Sequence, residues 1–260
     1  MSIYLPLSLV RKLAARQGFA DCGASKAESL PSGFFSTYLN QNFNAGMQFL
    51  ERNIENRLSP VLLFPSAKTI FSFVFPYHTA IKASLPPFTA SFAMMDDYHR
   101  TIKSKLNAIV QSIKEIKPDF KAKVCVDTAP VFEKIWAKRA NLGTIGKNSL
   151  FISRTHGSKV LLGEIICNME SDYPNMQKVE INNDVADFCL HCDLCVKACP
   201  NSALEYAPML DARRCISYLT QWKGITIPPN IDLKGYIHGC DICLDVCPHR
   251  NGISNFIFAF

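Results

Sequence analysis

Of the eleven cysteines in this 260-residue chain, eight crowd into the stretch from Cys189 to Cys247. They read C-x₂-C-x₂-C-x₃-C-P from Cys189 to Pro200, then a lone Cys215, then Cys240, Cys243 and Cys247-Pro248. The first run has the ligand spacing of a bacterial 4Fe–4S site, where three close thiolates serve one cube and the fourth serves another. Eight thiolates are the complement of two cubes. The crossing rule groups Cys189, Cys192 and Cys195 with Cys247. It leaves Cys240 and Cys243 to Cys199 and Cys215, the last replacing the missing third member of the second run. Zinc takes four ligands per ion and has no use for a third close Cys followed by Cys-Pro. Each Pro stops its turn, because Pro cannot continue a helix and holds the residue before it extended.

A disulfide framework belongs to short secreted chains. Here the start, MSIYLPLSLVRKLAARQG, has basic residues after the apolar stretch and no cleavage site, so no export signal is expected. Reduced cysteines in metal spacing point to the cytoplasm. Cys22, Cys125 and Cys167 lie apart in apolar contexts and are expected to be buried structural thiols. Hydrophobic content of 48% and charged content of 19% fit a globular chain. No apolar run approaches the ~20 residues of a membrane span, and a monomer is expected. The net charge of +6 is uneven. Residues 184–260 hold six Lys and Arg against eight Asp and Glu, leaving 22 against 14 in residues 1–183. A basic front half suits an anionic partner such as nucleic acid, or simply a solvated surface.

Apolar periodicity predicts helices over about Leu7–Gln17, in PSGFFSTYLN, through GMQFLERNIENRL, over about Asp96–Lys117, and in PVFEKIWAKRANLG from Pro130 to Gly143. Thr69–Phe75 and KAKVCVD read as strands, with SLFIS and KVLLGEIIC as a pair joined by a turn at His156-Gly157. Pro86 and Pro87 mark a break. The expected architecture is an α+β domain over residues 1–183, followed by a ferredoxin-like domain with two 4Fe–4S clusters over 184–260. The front part is large enough to hold an electron acceptor.

No G-x-G-x-x-G opens a helix and there is no Walker loop, so no nucleotide fingerprint is present. The histidine-ligated cobalamin signature D-x-H-x-x-G is nearly met at Asp97-Tyr98-His99, but Ile102 stands where Gly is required. Elsewhere the chain carries V-D-T-A-P-V-F-E (Val126–Glu133), L-G-T-I-G-K-N-S-L (Leu142–Leu150), L-G-E-I-I (Leu162–Ile166), L-D-A-R-R-C-I-S-Y-L-T (Leu210–Thr220) and G-C-D-I-C (Gly239–Cys243). Together and in this order they resemble the epoxyqueuosine reductase family, over nearly the whole chain.

The resemblance implies a nitroreductase-like cobalamin-binding domain before the ferredoxin-like one. It implies reduction of epoxyqueuosine to queuosine in tRNA, with electrons passing from two 4Fe–4S clusters to cobalamin and an aspartate, here Asp127, as proton donor. A carboxyl group gives a proton near neutral pH when burial raises its pKa, so Asp127 is expected to be a buried acid; the N-cap of the next helix is the other reading. Cofactor contacts carried over from the family fall on Arg52, Asp127, Phe151, Ser153, Leu162, Ser217, Asp241 and Ile242. Lys147 and Asn148 suit either a cofactor contact or a turn. Gln221, Trp222 and Lys223 are candidates to face RNA, Lys at phosphate and Trp on a base. The chain departs from the family at Met95-Asp96, around Thr144 and at His249-Arg250-Asn251, and lacks the C-terminal helical extension of many members. The electron donor is not identified by sequence. Alternatives are a ferredoxin-like electron carrier, which leaves the front region unexplained, and a corrinoid reductase resembling the dehalogenases, which are longer, exported chains.

Overall fold

The structure, a computed structural model, describes residues 4–77, 88–173 and 185–253. The predicted boundary at 183/184 and the Pro86-Pro87 break lie outside the described residues.

Two long apolar strands form the centre. β1 (Asp21–Lys26), β2 (Thr69–Pro76), β3 (Ala122–Cys125) and a later strand over Val160–Cys167 make one antiparallel sheet. Between them come β4 (Gly143–Ile145) and β5 (Phe151–Ser153), which pair only with each other, so the Val160–Cys167 strand is β6. The large sheet runs β1-β2-β6-β3. Both inner strands are covered on both faces, which is why their sequences read as continuous apolar runs.

Side chains alternate across this sheet. Phe71, Phe73, Phe75 and Ile165 join the core beneath α1 (Leu7–Arg16). The remaining helices are α2 (Gly33–Asn40), α3 (Ile54–Leu58), α4 (Pro60–Leu63), α5 (Tyr98–Ile116) and α6 (Glu133–Arg139), then α7 (Asp187–Leu190), α8 (Leu194–Ala198), α9 (Ile216–Gln221) and α10 (Ile242–Asp245). Helix α5 adds Ile102, Leu106, Ile109, Val110 and Ile113, one stripe at helical spacing, to the α1 side. Ile70, Val74 and Ile166 face the other way, against Ile135, Trp136 and Ala137 of α6. Each such wholly buried side chain contributes roughly 1.5–3 kcal/mol relative to exposure.

Several predicted elements differ. The GMQFLERNIENRL helix is broken: Gln48–Leu50 is a single 3-10 turn, and Asn53 at φ 57° interrupts it before α3. The hairpin joining SLFIS to KVLLGEIIC does not form. Both edges of β6 are already occupied by β2 and β3, so β5 pairs with β4 and the His156-Gly157 turn closes only the Ser153–Gly157 bridge. The α6 helix starts three residues after Pro130 and ends at Arg139, short of Gly143. Strand β1 has no counterpart in the sequence prediction, because DCGASK mixes small and polar residues. Cys22, Cys125 and Cys167 are buried, as expected.

Gly23 is where α6 closes onto β1: a Cβ there would stand 2.4 Å from the Ala140 carbonyl oxygen, a backbone atom that cannot yield. Gly23→Ala is expected to cost about 1–3 kcal/mol by overpacking, read as a lower midpoint in chemical denaturation.

Candidate active site and iron–sulfur centre

Short helices present the cysteines. Cys189 lies in α7 and Cys195 in α8, Cys215 caps the start of α9, and Cys243 lies in α10. Cys199 ends α8 in extended geometry (φ −69°, ψ 112°), as a residue before proline must. Burial raises the Cys195 thiol to about 11, and the neighbours adding to that shift are Cys189, Cys247 and Cys192. Burial likewise raises Cys240 to about 11, with Cys215 and Cys199 contributing. Cys243 is pushed up by burial, then by Cys215, Cys240, Cys195 and Cys199. The thiols therefore gather in one region, Cys195 beside Cys189, Cys192 and Cys247, and Cys243 beside Cys215, Cys240, Cys195 and Cys199. Cys189, Cys192, Cys195 and Cys247 border a small hollow walled also by Ile152 and Phe188. Buried thiols that raise one another's pKa want a spread cationic centre among them, and an iron–sulfur cube fits that donor set.

Hydrogen bonds fix this region to the sheet domain. Asn148 Nδ2 donates to the Cys243 carbonyl at 3.3 Å, and Lys147 Nζ to the Leu190 carbonyl at 3.0 Å and to Asp193 at 2.7 Å. The Ala212 N–H donates to the Phe43 carbonyl at 2.9 Å. Asp241 is buried and accepts the Ser91 N–H at 2.6 Å. Lys147 and Asn148 thus do the work of a joint between the two regions.

Asp127 lies on the turn after β3, in the left-handed region at φ 46°. It is neither a buried acid nor a helix cap. The Asp127–Val131 turn delays α6, whose N-cap is Phe132, and leaves the Asp127 carboxylate exposed. Its N–H donates to Glu133 Oε1 at 2.6 Å, its Oδ2 meets His99 Nε2 at 2.9 Å, and the Tyr98 hydroxyl bonds its carboxylate as well. His99 Nδ1 meets Asp97 Oδ1 at 2.9 Å, while the Asp97 side chain also caps α5 by accepting the His99 N–H. An imidazole donates to two carboxylates at once only when protonated. Burial alone lowers the His99 pKa, but the bonds to Asp127 and Asp97 together raise it. Tyr98 stacks beside His99, and its hydroxyl is pushed up by burial, then by the charges of Asp127 and Glu133. Behind this cluster, burial lifts Glu133 to about 7 and raises Glu164, on β6, well above the carboxylate range.

A family profile described as "Epoxyqueuosine reductase QueG, DUF1730" matches residues 57–128, and one described as "4Fe-4S double cluster binding domain" matches residues 188–250. The epoxyqueuosine reductase of Cyclobacterium marinum is 34% identical over 255 residues, covering 92% of this chain and 77% of the relative. This chain belongs to the epoxyqueuosine reductase family. The Bacillus subtilis epoxyqueuosine reductase is 31% identical, with 97% of this chain and 65% of that one aligned. The solved epoxyqueuosine reductase of Streptococcus thermophilus superposes with a TM-score of 0.76 at 31% identity, over 95% of this chain and 67% of that one. Another solved member, with an epoxyqueuosine-modified tRNA-Tyr stem loop, gives 0.77 at 29% identity over 94% of this chain and 64% of that one. A catabolic reductive dehalogenase shares only the fold, with a TM-score of 0.58 at 14% identity. The chain is thus an oxidoreductase with a double-cluster domain, and its reaction is the reduction of epoxyqueuosine.

The other positions carried over from the epoxyqueuosine reductases are scattered. Arg52 is exposed between the 3-10 turn and α3. Phe151, Ser153 and Leu162 are buried, Phe151 and Leu162 in the core beside α6. The Ser153 hydroxyl accepts the Thr155 and His156 N–H groups at 3.4 Å each. Ser217 on α9 and Ile242 on α10 are half-buried, each within two residues of a second-set cysteine, as Asp241 is. Gln221, Trp222 and Lys223 are exposed. Trp222 stacks between Tyr218 (5.8 Å, 21°) and Phe49 (5.9 Å, 26°), an open aromatic platform with Phe49 47% exposed. Sequence reasoning missed Tyr98, His99, Glu133 and Glu164 as members of the cluster around Asp127. The available signal was a Glu inside the otherwise apolar strand VLLGEIIC.

The two glutamates make stability pH-dependent. Their folded pKa values lie above the unfolded ones, so stability is complete in acid, below the ordinary carboxylate range, and falls as pH rises through that range toward about 7. Glu164→Gln removes one such group. It is expected to match wild type in melting temperature near pH 4.5 and exceed it at about pH 8, measured by calorimetry across that range.

Proposed function

We propose that the chain reduces epoxyqueuosine to queuosine in tRNA, as a cytoplasmic monomer, with residues 1–183 holding cobalamin and substrate and residues 184–260 the two clusters. In this scheme Cys189, Cys192, Cys195 and Cys247 ligate one 4Fe–4S cluster, and Cys199, Cys215, Cys240 and Cys243 the other. The observation that carries it is the presentation of Asp127: an exposed carboxylate on a left-handed turn, tied at its N–H by Glu133 and at Oδ2 by His99. The solved relative bound to an epoxyqueuosine-modified tRNA stem loop supports tRNA as the substrate. The reaction takes two electrons and two protons, and the epoxide oxygen leaves as water.

Cobalamin, when bound, supplies the difficult redox chemistry at the epoxide, while the protein supplies position and protons. Asp127 gives the proton that it shares with His99, whose ring bridges the Asp127 and Asp97 carboxylates. Asp97 and Tyr98 orient the imidazole from either side. Ser217, Asp241 and Ile242 lie beside the second cysteine set, where a group passing electrons onward must pack. Arg52 meets the cofactor's anionic or amide periphery, and Phe151, Ser153 and Leu162 build the wall behind it. With Trp222 stacked between Tyr218 and Phe49, the exposed Phe49 at the end of the stack is open to a base, Gln221 offers a hydrogen bond and Lys223 a charge to phosphate.

Asp127→Asn is expected to keep its iron and corrinoid spectra and to lose about 10²–10⁴-fold in anaerobic turnover of epoxyqueuosine-containing tRNA. Turnover near wild type in that assay sinks the assignment. Cys215→Ala is expected to lose about half its iron, with the electron paramagnetic resonance signal of the other cluster retained.

A further inference from the structure

Glu164 takes no part in the scheme above, yet it is the most confined charged residue near Asp127. It is 0% exposed on a strand covered on both faces, and neither carboxyl oxygen meets a donor among the described residues. Its neighbours across the ladder are Ser72 of β2, whose hydroxyl is also unpartnered, and Cys125 of β3. All three lie on the sheet face toward α6, where Glu133 begins the helix.

A buried carboxylate without a donor is too costly to remain charged, and a second carboxylate beside it raises that cost. Between the two glutamates there is room for one negative charge, and the deeper group holds the proton. That proton converts the contact into a hydrogen bond, because two ionised carboxylates have nothing to donate. The groups facing the pair are consistent with this split. Asp127 and Lys134 act on Glu133, and the Lys134 cation favours the charged form there. Tyr98 of α5 meets both Asp127 and Glu133, Ser72 of β2 is neutral, and Cys125 of β3 is a buried thiol that also senses Lys123 and Lys103. The influences on Glu164 are burial and Glu133 itself.

We propose that Glu164 is a positioning residue for the reduction: as a neutral acid it donates to Glu133, locking that carboxylate as the acceptor that holds the Asp127 backbone in its left-handed turn. This rests on Asp127 being the proton donor. The chain of contacts runs from Glu164 O–H to Glu133, and from Asp127 N–H to Glu133 Oε1. It aims the Asp127 carboxylate without touching substrate.

Glu164→Gln retains a neutral donor of the same shape, and Glu164→Leu removes it. In the cofactor-loaded enzyme, Glu164→Gln is expected to keep wild-type kcat at neutral pH and to hold it at alkaline pH, where wild type declines as Glu164 loses its proton. Glu164→Leu is expected to lose about 10²-fold in kcat with KM for tRNA unchanged, the mark of misplacement rather than weakened binding. Infrared difference spectra of the holoenzyme in H₂O and D₂O give a readout independent of turnover and of whether Glu164→Leu folds. A buried carboxylic acid C=O stretch is expected in wild type at pH 7 and absent in Glu164→Gln. A missing wild-type band, or wild-type kcat in Glu164→Leu, overturns the proposal with the role of Asp127 intact. A band present while Asp127→Asn turns over normally overturns the catalytic reading, and the positioning role with it.

Discussion

The antiparallel pairing of β2 with β6 is the constraint on which the rest of the molecule depends. Eight consecutive partners, Thr69 with Cys167 through Pro76 with Val160, bring two apolar strands together at the middle of the sheet. Strand alternation then assigns one set of side chains to α1 and α5 and the other to α6. The second face carries the buried Ser72 and Glu164. Their placement follows from register, since a slip by one residue would turn both toward the α1–α5 core. The chemistry around Asp127 is thus referenced to the most rigid part of the fold, through a helix start and one short hydrogen bond.

The iron–sulfur region has little secondary structure of its own and borrows its shape. Its helices are four to six residues long, too short to persist alone. They are set by contacts to the front of the chain, among them Asn148 to the Cys243 carbonyl, Ser91 to Asp241 and Ala212 to the Phe43 carbonyl. The G-K-N motif and the 3-10 turn at Ser91–Met94 serve both regions, so the two predicted domains are mechanically one joint. That is consistent with electron transfer, which tolerates little change in the separation between donor and acceptor.

What was legible in the sequence was what is local. The double-cluster domain was legible in the cysteine spacing, and α1, β2 and α5 in apolar period and clear stops. β1 was not legible because Cys22, Gly23, Ala24 and Ser25 carry little hydrophobic contrast. The partner of β5 was not legible because competition for the edges of β6 is a long-range matter. The motif around Asp127 could be recognised, but its environment could not. A left-handed Asp preceding Pro130, and an imidazole 28 residues away, leave no periodic trace. His99 was noticed for a motif it does not complete, while its actual partners were Asp97 and Asp127. Glu133 and Glu164 stood inside recognised motifs, and only their meeting across α6 and β6 gives them a joint role.

The interleaving of the two thiol sets has a consequence for biosynthesis. In the proposed pairing Cys199 and Cys215 wait for Cys240 and Cys243, and Cys189, Cys192 and Cys195 wait for Cys247, so the second set is complete only at Cys243 and the first only at Cys247. The sheet, by contrast, has all its strands by Cys167. The front of the chain can therefore fold on the ribosome as a finished platform while the cysteines remain open to iron delivery. In that pairing, cluster loading follows the translation of every strand of the sheet.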